Sequence, residues 1–297
     1  MKKTIQTEFD NNHDIVLYLG DCRDLLSGIP DESIDLTVTS PPYYVGKEYD
    51  TSTESDAFVD LLKEVFPEIL RVTKKGGSIC WEVGYHVKKG VVTPLDFLVH
   101  TIASMQEGLV LRNRIIWAFG HGLHCKKRFS GRHETILWYT KGDGYNFNLD
   151  AVRVPQRYPG KRYYKGNRKG EPSGNPKGKN PSNVWDNIPS VKANHIEKRS
   201  HPCQFPIGLA ERLVLALSEE GDIVLDPFLG VGSTCCAALL HDRRFWGSEV
   251  NKKYYQIAVE RCTSTLDGTI KHRPHDKLIY EPDPRTRVAR SPFGDSK

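Results

Sequence analysis

Four consecutive residues, Ser40, Pro41, Pro42 and Tyr43, combine groups that could hold a flat substrate carrying an NH2 group. The two prolines fix an extended backbone and have no N–H to compete for nearby carbonyls. The Ser40 hydroxyl and a proline carbonyl could accept hydrogen bonds from the amine, while the Tyr43 ring stacks on the substrate face. A nucleic-acid base has this shape. A strand-to-loop turn with an exposed tyrosine is the alternative interpretation of the same residues.

A glycine-containing loop near the other end of the chain is a second candidate site. It follows an apolar run and opens a predicted helix, which is the context that a ligand-binding loop requires. Its glycines would let the backbone approach a ligand, and a hydroxyl residue at its end could cap the helix. It lacks the third glycine of a dinucleotide fingerprint and the ending of a P-loop, which disfavours dinucleotides and triphosphates. The predicted contacts are Asp226, Pro227, Phe228, Gly230, Gly232, Ser233 and Thr234.

An acidic residue follows this loop at the spacing that a nucleoside site needs. Glu249 ends the next predicted strand about twenty residues on, where α/β nucleotide folds place an acid that binds both ribose hydroxyls. Together with Asp226, it suits a cofactor that carries both an ammonium group and a nucleoside. A strand-to-helix turn without a ligand is the alternative.

Positive charge is concentrated in residues 151–200, called the basic segment below. It holds twelve Lys or Arg against three acids, a local net charge of +9 in a chain whose net charge is +5. Such a footprint is typical of a polyanion binder, because Lys and Arg release counterions when they neutralise phosphates. Tyr158, Tyr163, Tyr164 and Trp185 are interleaved with these cations, which suits loops that follow a nucleic acid. A solvated linker is the alternative.

Length and composition exclude several classes of protein. A chain of 297 residues can bury one large core, either as a single domain or as a domain with an insertion. It has no apolar stretch of roughly 18 residues and no apolar N-terminal leader, so we expect a soluble protein of the cytoplasm. Its seven cysteines form no C-x-x-C pair, so we predict reduced thiols and neither a zinc site nor disulfides.

Apolar periodicity predicts alternating strands and helices along most of the chain. This alternation implies a mostly parallel sheet with helices on both faces. The predicted strands cover residues 14–19, 34–39, 78–83, 114–119, 135–139, 222–225 and 245–250. The predicted helices cover residues 22–27, 54–72, 94–106, 207–217, 233–240 and 253–266.

The order of these motifs resembles one family of enzymes. Ser-Pro-Pro-Tyr early, a basic segment midway and Asp-Pro-Phe-Leu-Gly-Val-Gly-Ser-Thr late is similar to the β arrangement of the DNA amino-methyltransferases. These enzymes use S-adenosylmethionine to methylate cytosine N4 or adenine N6. The resemblance covers residues 14–265 and implies a Rossmann-like class I methyltransferase fold in permuted order, with a basic inserted target-recognition segment.

Three further segments resemble parts of the same family. Asp21 stands where the family has an acid near the cofactor adenine, and residues 132–139 resemble a segment beside the base pocket. Residues 201–206 resemble the segment that packs on the methionine end of the cofactor, with Phe205 where many members have Lys. The implied organisation is a catalytic half over residues 1–150, target recognition over 151–200, a cofactor-binding half over 201–266 and a polar, poorly ordered tail over 267–297.

The resemblance implies methylation of a flipped base in duplex DNA, with S-adenosylmethionine and without a metal. Ser in the first position of the motif favours cytosine N4. Adenine N6, an RNA substrate and an inactive nucleic-acid-binding protein are alternatives. The implied partners are double-stranded DNA and, as a further candidate, a cognate restriction endonuclease, with no membrane contact and a monomeric or homodimeric state. The predicted DNA-binding residues are Arg153, Arg157, Lys161, Arg162, Lys165, Arg168 and Lys169.

Overall fold

The computed structural model describes residues 4–43, 55–120, 122, 124–277 and 283, without the side chains of residues 55 and 56. Its strands are β1 (Ile15–Leu19), β2 (Ile34–Thr39), β3 (Thr73–Val83), β4 (Tyr85–Lys88), β5 (Val91–Pro94), β6 (Leu109–Ala118), β7 (His133–Lys141), β8 (Val184–Trp185), β9 (Ile223–Asp226) and β10 (Arg244–Glu249). Its helices are α1 (Cys22–Gly28), α2 (Ser55–Val72), α3 (Leu95–Ala103), α4 (Ile207–Leu217), α5 (Ser233–Leu240) and α6 (Lys252–Leu266), with a 3-10 turn at Asp150–Val152.

Eight of these strands form one sheet in the order β1-β10-β9-β2-β3-β7-β6-β8. The first five of this order run parallel to one another, and β7 is antiparallel to both of its neighbours. Parallel strands need crossover connections, which the helices supply. The predicted α/β architecture with a mostly parallel sheet is therefore confirmed.

Each face of the sheet carries its own hydrophobic core. Helices α4, α5 and α6 cover one face, and α1, α2 and α3 cover the other. The central strands β9 and β2 are buried from both sides, as is typical of parallel strands that helices cover on two faces. This arrangement leaves the ends of the parallel strands free to carry loops. The edge at which β1, β10, β9, β2 and β3 end is called the carboxyl edge below.

Several local features differ from the predictions. Residues 74–77, predicted to separate a helix from a strand, belong to β3, which begins directly after α2. The β4–β5 hairpin was not predicted, because its short runs of mixed polarity carry no strong period. The structure also brings Cys235 of α5 and Cys262 of α6 together as a pair, a contact that the sequence analysis did not predict. Their separation in sequence gave no sign that the two helices pack together.

The beginning of the predicted tail is held against the core. Glu211 of α4 accepts hydrogen bonds from the backbone N–H of His275 at 2.8 Å and from the His241 ring at 2.9 Å. Arg212 donates to the His275 carbonyl at 2.8 Å. A Cβ on Gly208 would lie 2.8 Å from the Arg273 carbonyl, so this approach requires glycine. Most of the predicted tail beyond residue 277 lies outside the described residues.

Candidate active site

A cavity of about 360 Å3 opens at the carboxyl edge. Its volume lies in the range of small-molecule sites. Segments far apart in the sequence meet there, because parallel strands end at the same edge of a sheet. It is lined by residues 20–23, 40–43, 203–205, 227–231 and 248–250, together with Leu61, His201, Ser233 and Tyr254.

The loop after β9 brings bare backbone to this cavity. Gly230 and Gly232 have φ values of 52° and 77°, a region that side chains disfavour. A Cβ on Gly232 would lie 3.1 Å from the Cβ of Ala258 in α6. Gly232 is the N-cap of α5, so the predicted capping by the hydroxyl of Ser233 or Thr234 is wrong. Both hydroxyls instead donate to the carbonyls of other segments.

Asp226 lies beneath this loop and does not line the cavity. Its side chain is buried, and one oxygen accepts from the Thr39 hydroxyl at 2.7 Å and from the Phe228 N–H at 3.1 Å. Burial raises the pKa of Asp226 to about 6. Its contacts connect the end of β2 to the start of the loop, so Asp226 shapes the loop from below. Gly232 and Thr234 likewise support the cavity without lining it.

Glu249 does line the cavity, at the end of β10. One carboxylate oxygen accepts from the Gly230 N–H at 2.9 Å, and the other accepts from the Asn251 N–H at 2.8 Å. Burial raises the pKa of Glu249 to about 7. Each oxygen keeps a second lone pair, so the carboxyl can still accept from a diol.

Asp21 lines the cavity from the end of β1. Its carboxylate accepts from the Arg23 backbone at 2.9 Å and pairs with the Arg23 guanidinium at 2.6 Å. Hydrogen bonding from the Arg23 side chain lowers the pKa of Asp21, so this carboxyl stays ionised at neutral pH. It also caps the first turn of α1.

The segment before α4 contributes an apolar and aromatic wall. Phe205, predicted as a cofactor contact, lines the cavity beside His201 and Tyr254, whose rings are 4.5 Å apart. Burial lowers the pKa of His201 to about 4, which keeps its imidazole neutral. His201 belongs to the segment that resembles the cofactor-packing part of the family, but it was not named as a contact by itself, and Tyr254 was not predicted. The His-Pro motif was a usable signal for the first, whereas Tyr254 looked like an ordinary helical aromatic.

The Ser40–Tyr43 motif lines the other half of the cavity. The Tyr43 hydroxyl accepts a hydrogen bond from the Gly84 N–H at 3.0 Å and lies 3.4 Å from the Ser40 hydroxyl. Its ring meets Phe58 of α2 edge to face at 6.5 Å. These contacts hold the aromatic ring in one orientation, as a stacking surface requires.

Two glutamates that the sequence analysis did not single out lie behind this motif. Glu82, near the end of β3, is buried and accepts from the Tyr43 hydroxyl at 3.4 Å. Glu134, near the start of β7, lies over Gly84. A Cβ on Gly84 would be 3.3 Å from Oε1 of Glu134. Burial raises the pKa of both glutamates, and the Glu134 carboxyl raises that of Glu82 further. Antiparallel pairing of β3 and β7 produces this encounter, which sequence separation hides.

The predicted DNA-binding residues of the basic segment lie outside the cavity. The chain leaves β7 at the edge opposite the carboxyl edge, where the Asn148 N–H donates to the Ala216 carbonyl at 2.7 Å. Arg153 pairs with Asp150 at 2.7 Å, and Arg168 pairs with Glu171 at 2.9 Å. All seven except Arg153 are exposed: Arg157, Lys161, Arg162, Lys165, Arg168 and Lys169.

A second basic surface lies at the carboxyl edge, on the loop between β6 and β7. Lys126, Lys127, Arg128 and Phe129 are all exposed, and the Phe129 side chain is 99% accessible. The hydroxyl of Tyr85, the first residue of β4, packs directly against Gly131 and leaves no room for a Cβ there. This contact connects the loop to β4. Three consecutive cations followed by an aromatic were a signal that sequence analysis missed. Residues 124–132 are called the cationic loop below.

Among the described residues, no group of three or more His, Cys, Asp or Glu side chains could hold a metal ion. Within the same part of the chain, no helix combines the length and apolar character needed to cross a membrane.

The sheet order, the glycine loop after β9 and the acid at the end of β10 define a class I methyltransferase fold. The sequence profile of the DNA methylase family that acts on N6 and N4 amines matches residues 34–260, so this chain belongs to that family. The predicted family is thereby confirmed.

Individual relatives agree with this assignment. The type II methyltransferase M.BglII of Bacillus subtilis is 45% identical over 264 residues, covering 89% of this chain and 73% of the relative. The DNA adenine methyltransferase YhdJ of Escherichia coli is 34% identical over 260 residues, covering 86% of this chain and 84% of the relative. The structure of TTHA0409 from Thermus thermophilus with S-adenosyl-L-methionine has a TM-score of 0.61 and 30% identity, covering 85% of this chain and 94% of that one.

Proposed function

We propose that this enzyme transfers a methyl group to the exocyclic N4 amine of cytosine in duplex DNA. The observation that carries the proposal is that the Ser40–Tyr43 motif and the glycine loop after β9 line one cavity. The methyl donor of this family is S-adenosylmethionine, which is bound in the Thermus relative. When bound, it supplies an electrophilic methyl group on a sulfonium.

The cofactor half of the cavity fits this donor. The left-handed glycines leave backbone without side chains at the loop, and Glu249 offers acceptors for ribose hydroxyls. Asp21 adds an ionised carboxylate, and Phe205 adds an apolar surface. Asp226 has one buried oxygen without a donor among the described residues, next to the loop that it shapes.

The base half fits an aromatic amine. The lone pair of such an amine is delocalised into the ring, so the nitrogen is a poor nucleophile until it is drawn toward tetrahedral geometry. Ser40 Oγ and the Pro41 carbonyl accept the two amine hydrogens in this proposal, and Pro42 keeps the backbone extended. In-line placement of the reacting atoms is then an orientation effect worth up to several kcal/mol.

The amine is buried in a duplex, so the base must leave the stack at a cost of roughly a few kcal/mol. The fixed Tyr43 ring stacks on the flipped base in this proposal. The cationic loop emerges at the same edge as Tyr43, so it supports contact with the duplex around the flipped base, through phosphates and through the exposed Phe129. The basic segment supplies further contacts.

Adenine N6 is the second candidate, and it is favoured by the similarity to the adenine methyltransferase YhdJ. A serine hydroxyl accepts from either amine, and the first residue of the motif carries the preference for cytosine. The relationship to type II methyltransferases supports a role as the modification enzyme of a restriction system.

The deciding experiment is methyl transfer to mixed-sequence duplex DNA, followed by nucleoside mass spectrometry. We expect N4-methylcytosine, and its loss with Ser40→Ala. Detection of N6-methyladenine instead would change the assigned base from cytosine to adenine. Methylation of labelled RNA in a competition assay with DNA would show that the substrate is RNA. Absence of both methylated bases from DNA would overturn the proposed function.

A further inference from the structure

Phe129 of the cationic loop has the most exposed aromatic side chain among the described residues, with 99% of its surface accessible. A single exposed apolar side chain is common on a protein surface, so its surroundings decide whether it has a role. The ring of Tyr163 in the basic segment carries the guanidinium of Arg168, at 4.5 Å from the ring centre. In the described part of the chain, no guanidinium and no second ring packs on Phe129 in this way. Both faces of the Phe129 ring are therefore open.

Hydrogen bonds within the cationic loop hold the backbone on both sides of this ring. The Cys125 N–H donates to the Ser130 hydroxyl at 3.1 Å, and the Arg128 guanidinium donates to the Phe129 carbonyl at 3.2 Å. Neither bond involves the aromatic ring. The loop therefore satisfies part of its own polar backbone while it presents the Phe129 ring to solvent.

The same loop is connected to the residues that hold the base half of the cavity. The Tyr85 hydroxyl packs on Gly131. The residue before Tyr85 is Gly84, whose N–H donates to the Tyr43 hydroxyl at 3.0 Å. Phe129 is two residues from Gly131, which limits the distance between their Cα atoms to about 7 Å. The exposed Phe129 ring and the stacking ring of Tyr43 are thus both attached to the segment that follows β3.

Base flipping creates a site for such a ring. When a base leaves the duplex, its neighbours lose their stacking contacts, and the base tends to return. Proteins that unstack DNA frequently insert apolar side chains such as Phe between base steps. An aromatic ring stacks on any base, because every base has a π-face. An open phenyl ring close to the base half has both the shape and the position for this role.

We propose that the Phe129 ring enters the duplex at the place that the flipped base leaves, stacks on the adjacent bases and opposes the return of the flipped base. Lys126, Lys127 and Arg128 directly precede this ring and are exposed, so they bind the phosphates beside the opened step. The cations act on the backbone of any duplex, whereas the ring acts only where a base has left the stack. This inference rests on the proposed methylation of a flipped base in DNA.

The test uses two duplexes of one sequence that the wild type methylates, with the target base either paired or opposite an abasic site. Phe129→Ala should lower the single-turnover rate on the paired duplex by about 10-fold, because the gap is no longer filled. Opposite an abasic site the loss should be less than about twofold, because an unpaired base costs less to extrude. Phe129→Trp keeps a flat ring and should retain most of the rate. A Phe129→Ala rate within about twofold of wild type on the paired duplex, or an equal loss on both duplexes, would overturn the proposal.

Fluorescence of 2-aminopurine at the target position reports flipping directly, because this analogue brightens when it leaves the stack. At saturating protein, the wild type should raise the signal and Phe129→Ala should raise it less. Met105→Ala is the matched control, since Met105 is 71% exposed but lies before β6, at the edge opposite the carboxyl edge. Its rate and signal should equal those of the wild type. An equal rise in signal with Phe129→Ala, or an equal loss with Met105→Ala, would contradict the assignment.

The three cations of the cationic loop provide a second contrast. Changing Lys126, Lys127 and Arg128 together to Ala should weaken binding to both duplexes alike, because their phosphates are the same. A loss confined to the paired duplex in this triple variant would assign the role in flipping to the cations and not to Phe129. A wild type that methylates no DNA base would refute the proposed function, whereas an active wild type with an insensitive Phe129→Ala variant would refute this inference alone.

Discussion

Each half of the cavity has one buried and one partly buried carboxyl group, but the two pairs have different partners. In the cofactor half, Asp226 and Glu249 accept hydrogen bonds from backbone N–H groups that shape the loop. In the base half, Glu82 and Glu134 interact with each other, and Glu82 keeps an oxygen without a donor among the described residues. Burial raises the pKa of all four carboxyls. The two pairs therefore differ in their partners, which are backbone N–H groups in the cofactor half and a neighbouring carboxyl in the base half.

Tyr43→Ala should have the largest effect on the rate of methyl transfer, because it changes the base half of the cavity and leaves the cofactor half intact. It removes the stacking ring of the base half, and we expect about a 100-fold loss of single-turnover rate because the base is no longer held in line. Cofactor affinity should remain, since the contacts described above for Tyr43 all lie in the base half. Tyr43→Phe keeps the aromatic ring, so its single-turnover rate should fall less than that of Tyr43→Ala. Unchanged turnover in Tyr43→Ala would exclude the stacking role.

The cofactor half is tested by Asp226→Ala. This change leaves the Thr39 hydroxyl and the Phe228 N–H without their acceptor, at about 1–3 kcal/mol for each buried group. We expect S-adenosylmethionine to bind at least about tenfold more weakly by calorimetry. Asp226→Asn keeps an acceptor oxygen and is the matched control. An unaltered dissociation constant in Asp226→Ala would contradict the role of Asp226.

A pH titration tests whether Glu249 binds the cofactor as a carboxylate. Its pKa is about 7 in the free enzyme, and hydroxyl donors from a ribose would lower it in the complex. Binding below pH 7 must then expel a proton, so affinity should fall as the pH falls and level off above about 7. Glu249→Gln should bind weakly and lose this slope. A wild-type affinity that is flat between about pH 6 and 8 would be inconsistent with the assignment.

Charge removal on the surface around the base half should have a milder effect. Two triple variants remove the same charge: Lys126, Lys127 and Arg128 to Ala in the cationic loop, and Lys161, Lys165 and Lys169 to Ala in the basic segment. Both should weaken DNA binding and reduce its salt dependence. We expect the larger loss from the cationic loop, because it lies at the carboxyl edge. The opposite order in a fluorescence anisotropy titration would assign the main contact to the basic segment.

Most of the secondary structure and the order of the motifs could be predicted from the sequence. The apolar run Ile223, Val224 and Leu225 of β9 is continuous because this strand is buried on two faces, and that pattern is visible without a structure. The hairpin β4–β5 escaped prediction because it is short and half exposed. The pairing of Cys235 with Cys262 depends on how α5 packs on α6, which periodicity does not report.

The chemical groups that the cavity offers could be read from local sequence: a hydroxyl and a ring after β2, glycines after β9 and an acid at the end of β10. They follow from local rules, because a strand end and a helix start fix where each loop emerges. Folding was needed to establish that Asp226 lies beneath its loop, and that Glu82 and Glu134 meet behind Tyr43. A carboxyl group's role depends on the donors and charges within a few ångströms of it, and in this protein those come from distant parts of the chain.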